Sequence, residues 1–233
     1  MKIRLLSDLH LEFGAPPPIG YLNEDVLVIA GDFHSGSVNV IKAMQHFYRQ
    51  DRPIVYVPGN HEYYGTSIEE FDEAVTEAFS GTNVHFLNPG TVEIKGIEFR
   101  GAALWTNFHE KIHAQMMAKS MIADFKRIKG FSTKRAVELY EEHSEFLLKP
   151  TDVVVSHFLP DDCCIDPKFK NEGMLNHYFA NQLAHRSMAE LWLFGHTHSK
   201  VDLQELNTRY VANPRGYPRE NNCYEEVAIN IGQ

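Results

Sequence analysis

Leu191-Trp192-Leu193-Phe194-Gly195-His196-Thr197-His198 is the stretch on which the fold of this chain turns. Its first four residues are apolar without alternation, the mark of a strand buried on both faces. A glycine then lets the chain bend, and two imidazoles follow at i and i+2. Such strand ends are where open α/β sheets hold their ligands. The fold therefore depends on whether other apolar runs finish the same way.

Four others do. Residues 2–7 read as a strand ending in Asp8-Leu9-His10, where Asp8 is either a turn acid or a ligand and His10 either a surface residue or a ligand. Residues 25–30 are a second buried strand, closed by Gly31-Asp32-Phe33-His34, with the glycine freeing Asp32 to project over the strand end. Ile54-Val55-Tyr56-Val57 runs into Pro58-Gly59-Asn60-His61-Glu62, and Asp152-Val153-Val154-Val155 into Ser156-His157-Phe158. Between them, residues 14–20 form a stiff Pro-rich loop. Ser35 to Gln50 carries a helical pattern through Val38, Ile41, Met44, Phe47 and Tyr48, and Thr66 or Ser67 caps another helix with Glu69 and Glu70 in its first turn. This alternation is α/β order, with parallel strands joined by right-handed crossovers.

Residues 83–104 change character. Three short β-rich runs separated by Asn-Pro-Gly and Lys-Gly predict a hairpin or meander at a sheet edge. Residues 109–148 predict two helices broken near Gly130. Their Met116, Met117, Met121, Ile122, Phe125 and Ile128 form either a substrate-facing cap or a face packed on the core. A polar loop over 160–173 and a helix near 174–186 precede the final buried strand. The tail, with residues 201–203, 210–212 and 227–229, predicts a closing antiparallel set. No linker divides the 233 residues, so one domain spanning 1–233 is expected.

The net charge of −9 argues against a broad surface tracking duplex nucleic acid. It leaves a small phosphorylated substrate open, because bound cations reverse the local sign. Three cysteines, Cys163, Cys164 and Cys223, make a poor disulfide framework and suggest a reducing compartment. No leader-like or membrane-length apolar run is present, and a cytoplasmic location is expected.

Five of the thirteen histidines sit in the strand-end turns, alongside Asp8, Asp32 and Asn60. Imidazole, carboxylate and one amide oxygen, without thiolate, suit Mn, Fe, Zn or Co rather than a structural zinc. Seven candidate ligands (Asp8, His10, Asp32, Asn60, His157, His196 and His198) exceed the need of one ion. Two ions roughly 3.5–4 Å apart, sharing a carboxylate, account for the number. Asp32, central in the series, is the natural bridge.

Asp8-x-His10, Gly31-Asp32, Gly59-Asn60-His61-Glu62, His157 and Gly195-His196-Thr197-His198 resemble, in order and spacing, the calcineurin-like metallophosphoesterase signature over nearly the whole chain. The resemblance implies an α/β (α+β) four-layer β-sandwich of two mixed sheets flanked by helices. It implies a dinuclear centre of divalent ions, Mn first, with Fe, Zn, Co or Ni as alternatives. Asp8, His10 and His198 would hold one ion and Asn60, His157 and His196 the other, with Asp32 between them. The implied reaction is hydrolysis of phosphomonoesters or phosphodiesters of a small substrate, a nucleotide among the options, by a dimetal-activated hydroxide. Asp32 and His61 would be catalytic, His61 facing the phosphate as general acid or charge stabiliser, with Asn60 also touching substrate.

Where this chain has Glu62 the family more often has aspartate, so an orienting role toward His61 would require the longer side chain to fold back. His34 has no fixed role. Arg215, in Asn213-Pro214-Arg215-Gly216-Tyr217, either contacts phosphate bidentately or forms a surface ion pair. Two alternatives stand beside the esterase: a nuclease acting on single-stranded ends, and a non-catalytic scaffold on the same fold. The substrate and the oligomeric state are not readable.

Overall fold

Four apolar runs of the N-terminal part assemble one sheet. In the computed structural model, which describes residues 1–15, 23–47, 49, 51–220 and 228–232, β1 (Lys2–Leu6), β2 (Val26–Ala30), β3 (Ile54–Val57) and β4 (Val84–Phe86) are parallel neighbours in that order. β11 (Ala228–Asn230) closes the sheet antiparallel to β1. The second sheet takes β5 (Gly90–Ile94), β6 (Ile97–Ala102), β7 (Val153–Ser156), β8 (Leu191–Phe194), β9 (Val201–Glu205) and β10 (Thr208–Ala212), ordered β5-β6-β7-β8-β10-β9. β6, β7, β8 and β10 run parallel, while β5 and β9 are antiparallel edges.

Both faces of the central strands are covered, which is why their sequences do not alternate. Ile3, Leu5, Val26, Val28, Val55 and Val57 from the first sheet pack on Phe99, Val153, Val155, Leu191 and Leu193 from the second. On the outer faces, Leu27, Ile29, Ile54 and Tyr56 meet residues of α1 (Ser37–Met44) and α2 (Ile68–Phe79). Val154, Trp192 and Tyr210 belong to the same outer core, which also takes in residues of α3 (Ile112–Met121) and α5 (Thr133–Leu147). α4 (Asp124–Arg127) is a single turn between α3 and α5, and α6 (Asn176–Phe179) a single turn between β7 and β8. The sandwich of two mixed sheets flanked by helices is thus present.

Several local expectations are corrected. The 83–104 region is not one meander: β4 completes the first sheet, and the β5–β6 hairpin belongs to the second, with β6 internal. In the closing set β10 pairs parallel with β8. α1 stops at Met44, with Val40 and Met44 buried and Val38 62% exposed; Tyr48 and Gln50 lie outside the described residues, as do residues 16–22, Cys223 and Val227. The segment 109–148 breaks near Gly130 and again after Met121. The helix near 174–186 is instead a series of short turns. Gly173 adopts a non-helical φ of 59°, and bridges from Leu159 to Ala180 and Asp161 to Gln182 pull the backbone into extended pairing. Ser67 caps α2 in a full capping box with Glu70, as its sequence suggests. Among the described residues, no helix is long and apolar enough to cross a membrane.

α5 also carries a buried titratable group. The His143 Nδ1 accepts the Leu104 backbone N–H at 3.2 Å. Burial, aided by the Arg135 charge, holds this imidazole down at about 3. The folded state therefore keeps His143 neutral, whereas the unfolded chain protonates near pH 6.5. Its contribution is complete above about pH 6.5 and is lost as pH falls toward 3, with a slope of up to about 1.4 kcal/mol per pH unit. Urea unfolding of His143→Gln across pH 7 to 4 is expected to show a shallower decline than the unmodified chain; identical slopes would refute this.

Candidate metal centre

The carboxyl ends of the parallel strands in both sheets face one rim. Asp8 follows β1, Asp32 follows β2 and Asn60 follows β3, while His157 follows β7 and His196 and His198 follow β8. Backbone bonds lock these turns together: Asp8 N–H donates to Gly31 O (3.0 Å), His10 N–H to Asp32 O (2.9 Å) and Gly195 N–H to His157 O (3.1 Å). Asp8, His10, Asp32, His196 and His198 all adopt left-handed φ, between 45° and 66°. Each such residue costs about 1–3 kcal/mol and persists only where its surroundings force it, a pattern typical of functional sites.

The side chains gather in two groups that share Asp32. One is Asp8, His10, Asp32 and His198; the other is Asp32, His157 and His196; within each, one donor atom per residue lies within 4.8 Å of the rest. Asp32 Oδ2 is 3.6 Å from His10 Nε2, and its Oδ1 is 3.4 Å from His157 Nε2. His198 Nε2 is 3.5 Å from Asp8 Oδ1. Asn60 Oδ1 is 3.2 Å from His157 Nε2, which brings the amide into the second group. The seven expected ligands therefore converge, and they come from both sheets.

Partners behind the ligands fix which atom each presents. His157 Nδ1 lies 3.0 Å from Ala30 O, an acceptor only, so the proton is on Nδ1 and Nε2 offers a lone pair. Glu12 does the same for His10 (3.1 Å to Nδ1) and Glu220 for His198 (2.8 Å to Nδ1). Asp124 accepts from Asn60 Nδ2 at 3.0 Å, from Tyr64 OH at 2.6 Å and from Tyr178 OH, turning the Asn60 oxygen inward.

This arrangement fits divalent cations. The Nε2 atoms of His10 and His198 face each other at 3.0 Å while Glu12 and Glu220 engage the Nδ1 sides, so with both rings neutral lone pair meets lone pair. Among the described residues, buried Asp8 Oδ2 and His196 Nε2 find no hydrogen-bond partner. Burial, with Glu62 and Asp8 beside it, pushes the Asp32 carboxyl well above its usual range. Burial also lowers His157 to about 4, lowers His196 further and depresses His10, all toward the neutral, ligating form. For His198 burial acts downward too, but the Glu220 and Asp8 carboxylates outweigh it and raise the imidazole.

His61 stands beside the two groups. Its backbone N–H donates to Asp32 Oδ1 (2.9 Å) and its Nδ1 contacts Glu12 Oε1 (2.8 Å), while Nε2 lies 3.3 Å from Tyr217 OH. Glu12 thus bridges His61 and His10. Burial would raise this carboxyl, but the two imidazole hydrogen bonds outweigh it and lower it strongly. Glu62 does not orient His61. Its carboxylate is buried and accepts from Asp32 N (3.0 Å), Phe33 N (2.7 Å), Gly59 N (2.9 Å) and Tyr56 OH (2.9 Å). It organises the turns that carry Asp32 and Asn60, and burial pushes it up to about 7 against those donors. Arg215 donates to the carbonyls of Leu9 (2.6 Å), Gly14 (2.9 Å) and Ala15 (3.1 Å), clasping the loop that carries Glu12. The His34 Nδ1 finds no hydrogen-bond partner among the described residues.

Glu12, Asp124, Tyr217 and Glu220 were not singled out from sequence. Glu12 alone leaves a faint signal, repeating the i, i+2 spacing of Asp8 and His10. The others depend on long-range folding. Gly59 is required by crowding: a Cβ there would lie 2.2 Å from Asp32 Oδ1 and 2.8 Å from His157 Nε2. Gly59→Ala is expected to lower stability by about 1–3 kcal/mol and to weaken Mn binding in step, measured by calorimetric titration. Unchanged affinity would show that Asp32 and His157 are not held as described.

A cleft of about 340 Å³ opens from this centre, with Asp32, Asn60, His61, His196 and His198 at one end. Of the apolar residues expected over 109–148, Met121 and Ile122 reach it. Phe125 and Ile128 pack on the core, and Met116 and Met117 are exposed.

A family model described as calcineurin-like phosphoesterase matches residues 1–200. The uncharacterized protein L509 of Acanthamoeba polyphaga mimivirus is 26% identical over 278 residues, covering 99% of this chain and 97% of that protein. The phosphopantetheinyl hydrolase of Mycobacterium tuberculosis superposes with a TM-score of 0.66 over 94% of this chain and 90% of its own, at 17% identity, a likeness of fold.

Proposed function

The chain belongs to the calcineurin-like phosphoesterase family and is a hydrolase of phosphoric esters, and we propose that it cleaves phosphomonoesters or phosphodiesters of a small organic molecule at a two-metal centre. The observation that carries this reading is the pair of ligand groups joined at Asp32. Asp8, His10 and His198 would hold one ion and Asn60, His157 and His196 the other, with Asp32 shared between the two groups. Mn is the first choice and Fe, Zn, Co and Ni are compatible, because the donor set selects borderline and hard ions rather than one element. We place the reaction in a reducing, cytoplasmic setting, consistent with free Cys163 and Cys164.

Ions bound there would supply Lewis acidity, polarising phosphoryl oxygens and bringing the pKa of a water toward neutrality. The chain's own residues do the rest. The Asp32 carboxylate joins the two groups. Asn60 and His61 line the cleft mouth where the phosphoryl group sits. Glu12 accepts the His61 Nδ1–H at 2.8 Å, which leaves Nε2 to face the cleft, where a proton it carries is donated to the leaving oxygen. Tyr217, with its ring 4.5 Å from His10 and 4.6 Å from His198, covers the centre from the solvent side.

The test is a substrate panel after EDTA stripping and reloading with Mn: p-nitrophenyl phosphate, bis-p-nitrophenyl phosphate and labelled single-stranded oligonucleotides. Metal-dependent turnover of one of the small esters is expected. Activity confined to oligonucleotide ends would make the protein a nuclease, and full metal loading with no turnover would make it a scaffold.

A further inference from the structure

Beyond the metal centre the cleft changes chemistry. Met121, Ile122, Leu159, Ile165, Phe169 and Phe179 form its wall, drawn from the end of α3, the segment between β7 and α6, and the end of α6. Asp166 and Glu172 add charge to this lining, and Glu220 lies against His198 at the centre itself. Among the described residues, no lysine or arginine lines it. Two cations touch lining residues from their ring faces, Arg127 over Tyr64 at 4.1 Å and Lys168 over Phe169 at 4.7 Å, and Lys168 also pairs with Asp166 at 3.7 Å.

A phosphate seated at the metals therefore meets an apolar wall on its organic side and negative charge beyond. A second anionic group would be desolvated against carboxylates, with Lys168 already paired to Asp166. An uncharged chain or ring gains from the same surface in proportion to the area it buries. The size sits at the lower end of the roughly 300–1,000 Å³ typical of small-molecule pockets, so it suits a short substituent rather than a polymer. We infer that the preferred substrate is a phosphoester whose organic substituent is largely apolar and carries no second negative charge. This rests on the phosphoesterase reading and narrows it, setting nucleoside di- and triphosphates, sugar bisphosphates and nucleic acid aside.

The test uses the Mn-loaded full chain and a matched series: methyl, butyl and hexyl phosphate, with 6-phosphohexanoate as the hexyl chain ending in a carboxylate. The corresponding p-nitrophenyl diesters are run beside them. In whichever series turns over, kcat/KM is expected to rise about threefold to fourfold per methylene until the cleft is filled. The carboxylate-ended ester is expected to fall at least tenfold below its hexyl partner. Ile122→Lys, with metal content measured to verify an intact centre, is expected to shrink the hexyl-to-carboxylate ratio at least tenfold. Hexyl esters no better than methyl, or the carboxylate tolerated equally, would overturn this inference and leave the phosphoesterase reading standing. No turnover in either series would overturn both.

Discussion

Asp32→Asn is expected to leave the purified protein unable to hold two divalent ions and to reduce turnover by at least about a thousandfold, roughly 4 kcal/mol in transition-state terms. The reason is that, among the described residues, Asp32 is the one side chain common to both candidate ligand groups. It is 2% exposed, and its two oxygens point separately toward His157 and His10. Asparagine keeps the shape but removes the charge and turns one donor face into an N–H, which cannot ligate. Elemental analysis after Mn loading reads the occupancy directly.

A second, opposite-signed readout accompanies it. In the metal-free protein Asp32 is a carboxylate buried beside Glu62 and Asp8, so removing its charge relieves repulsion. Metal-free Asp32→Asn is expected to melt higher than metal-free unmodified protein, while the upward shift on adding Mn disappears. Full occupancy in the variant would remove Asp32 from the bridging position.

His61→Ala is expected to behave in the contrary way, keeping both ions while kcat falls about 10²–10⁴-fold, the usual worth of a positioned proton donor. His61 lies outside the two shared groups, and its Nδ1 is engaged by Glu12. His10, Glu12 and His61 do form a third cluster, but its geometry is that of one carboxylate receiving two imidazole N–H groups. Glu12→Gln should therefore give a mixed result, with kcat reduced about 10–100-fold and Mn affinity weakened as well, because His10 loses its orienting partner. Wild-type kcat in His61→Ala at saturating Mn would end its assignment as proton donor, and loss of metal would make it a ligand.

The candidate ligands could be picked out because each follows an apolar run at a strand's end, where local sequence and chemistry coincide, and the fold brings them together. That Asp8, Asp32, His196 and His198 stand in left-handed backbone was not legible, since nothing in an Asp or His announces a positive φ. The residues that orient the ligands were hidden for a different reason: Glu220 and Asp124 are ordinary surface-type acids until folding brings them to His198 and Asn60. Glu62 stood inside a recognisable motif and still carries another task, because its longer side chain reaches back to the peptide N–H groups of Asp32, Phe33 and Gly59. The 83–104 region misled because period-two patterning identifies strands without saying which sheet receives them. The 174–186 region misled because its apolar spacing is overridden by the bridges at Ala180 and Gln182.

The centre draws Asp8, Asp32 and Asn60 from one layer and His157, His196 and His198 from the other. A pair of ions would therefore act as a rivet through the seam between the layers. Stripping them would loosen the joint as well as silence the chemistry, so chelators would act on this molecule partly as mild denaturants.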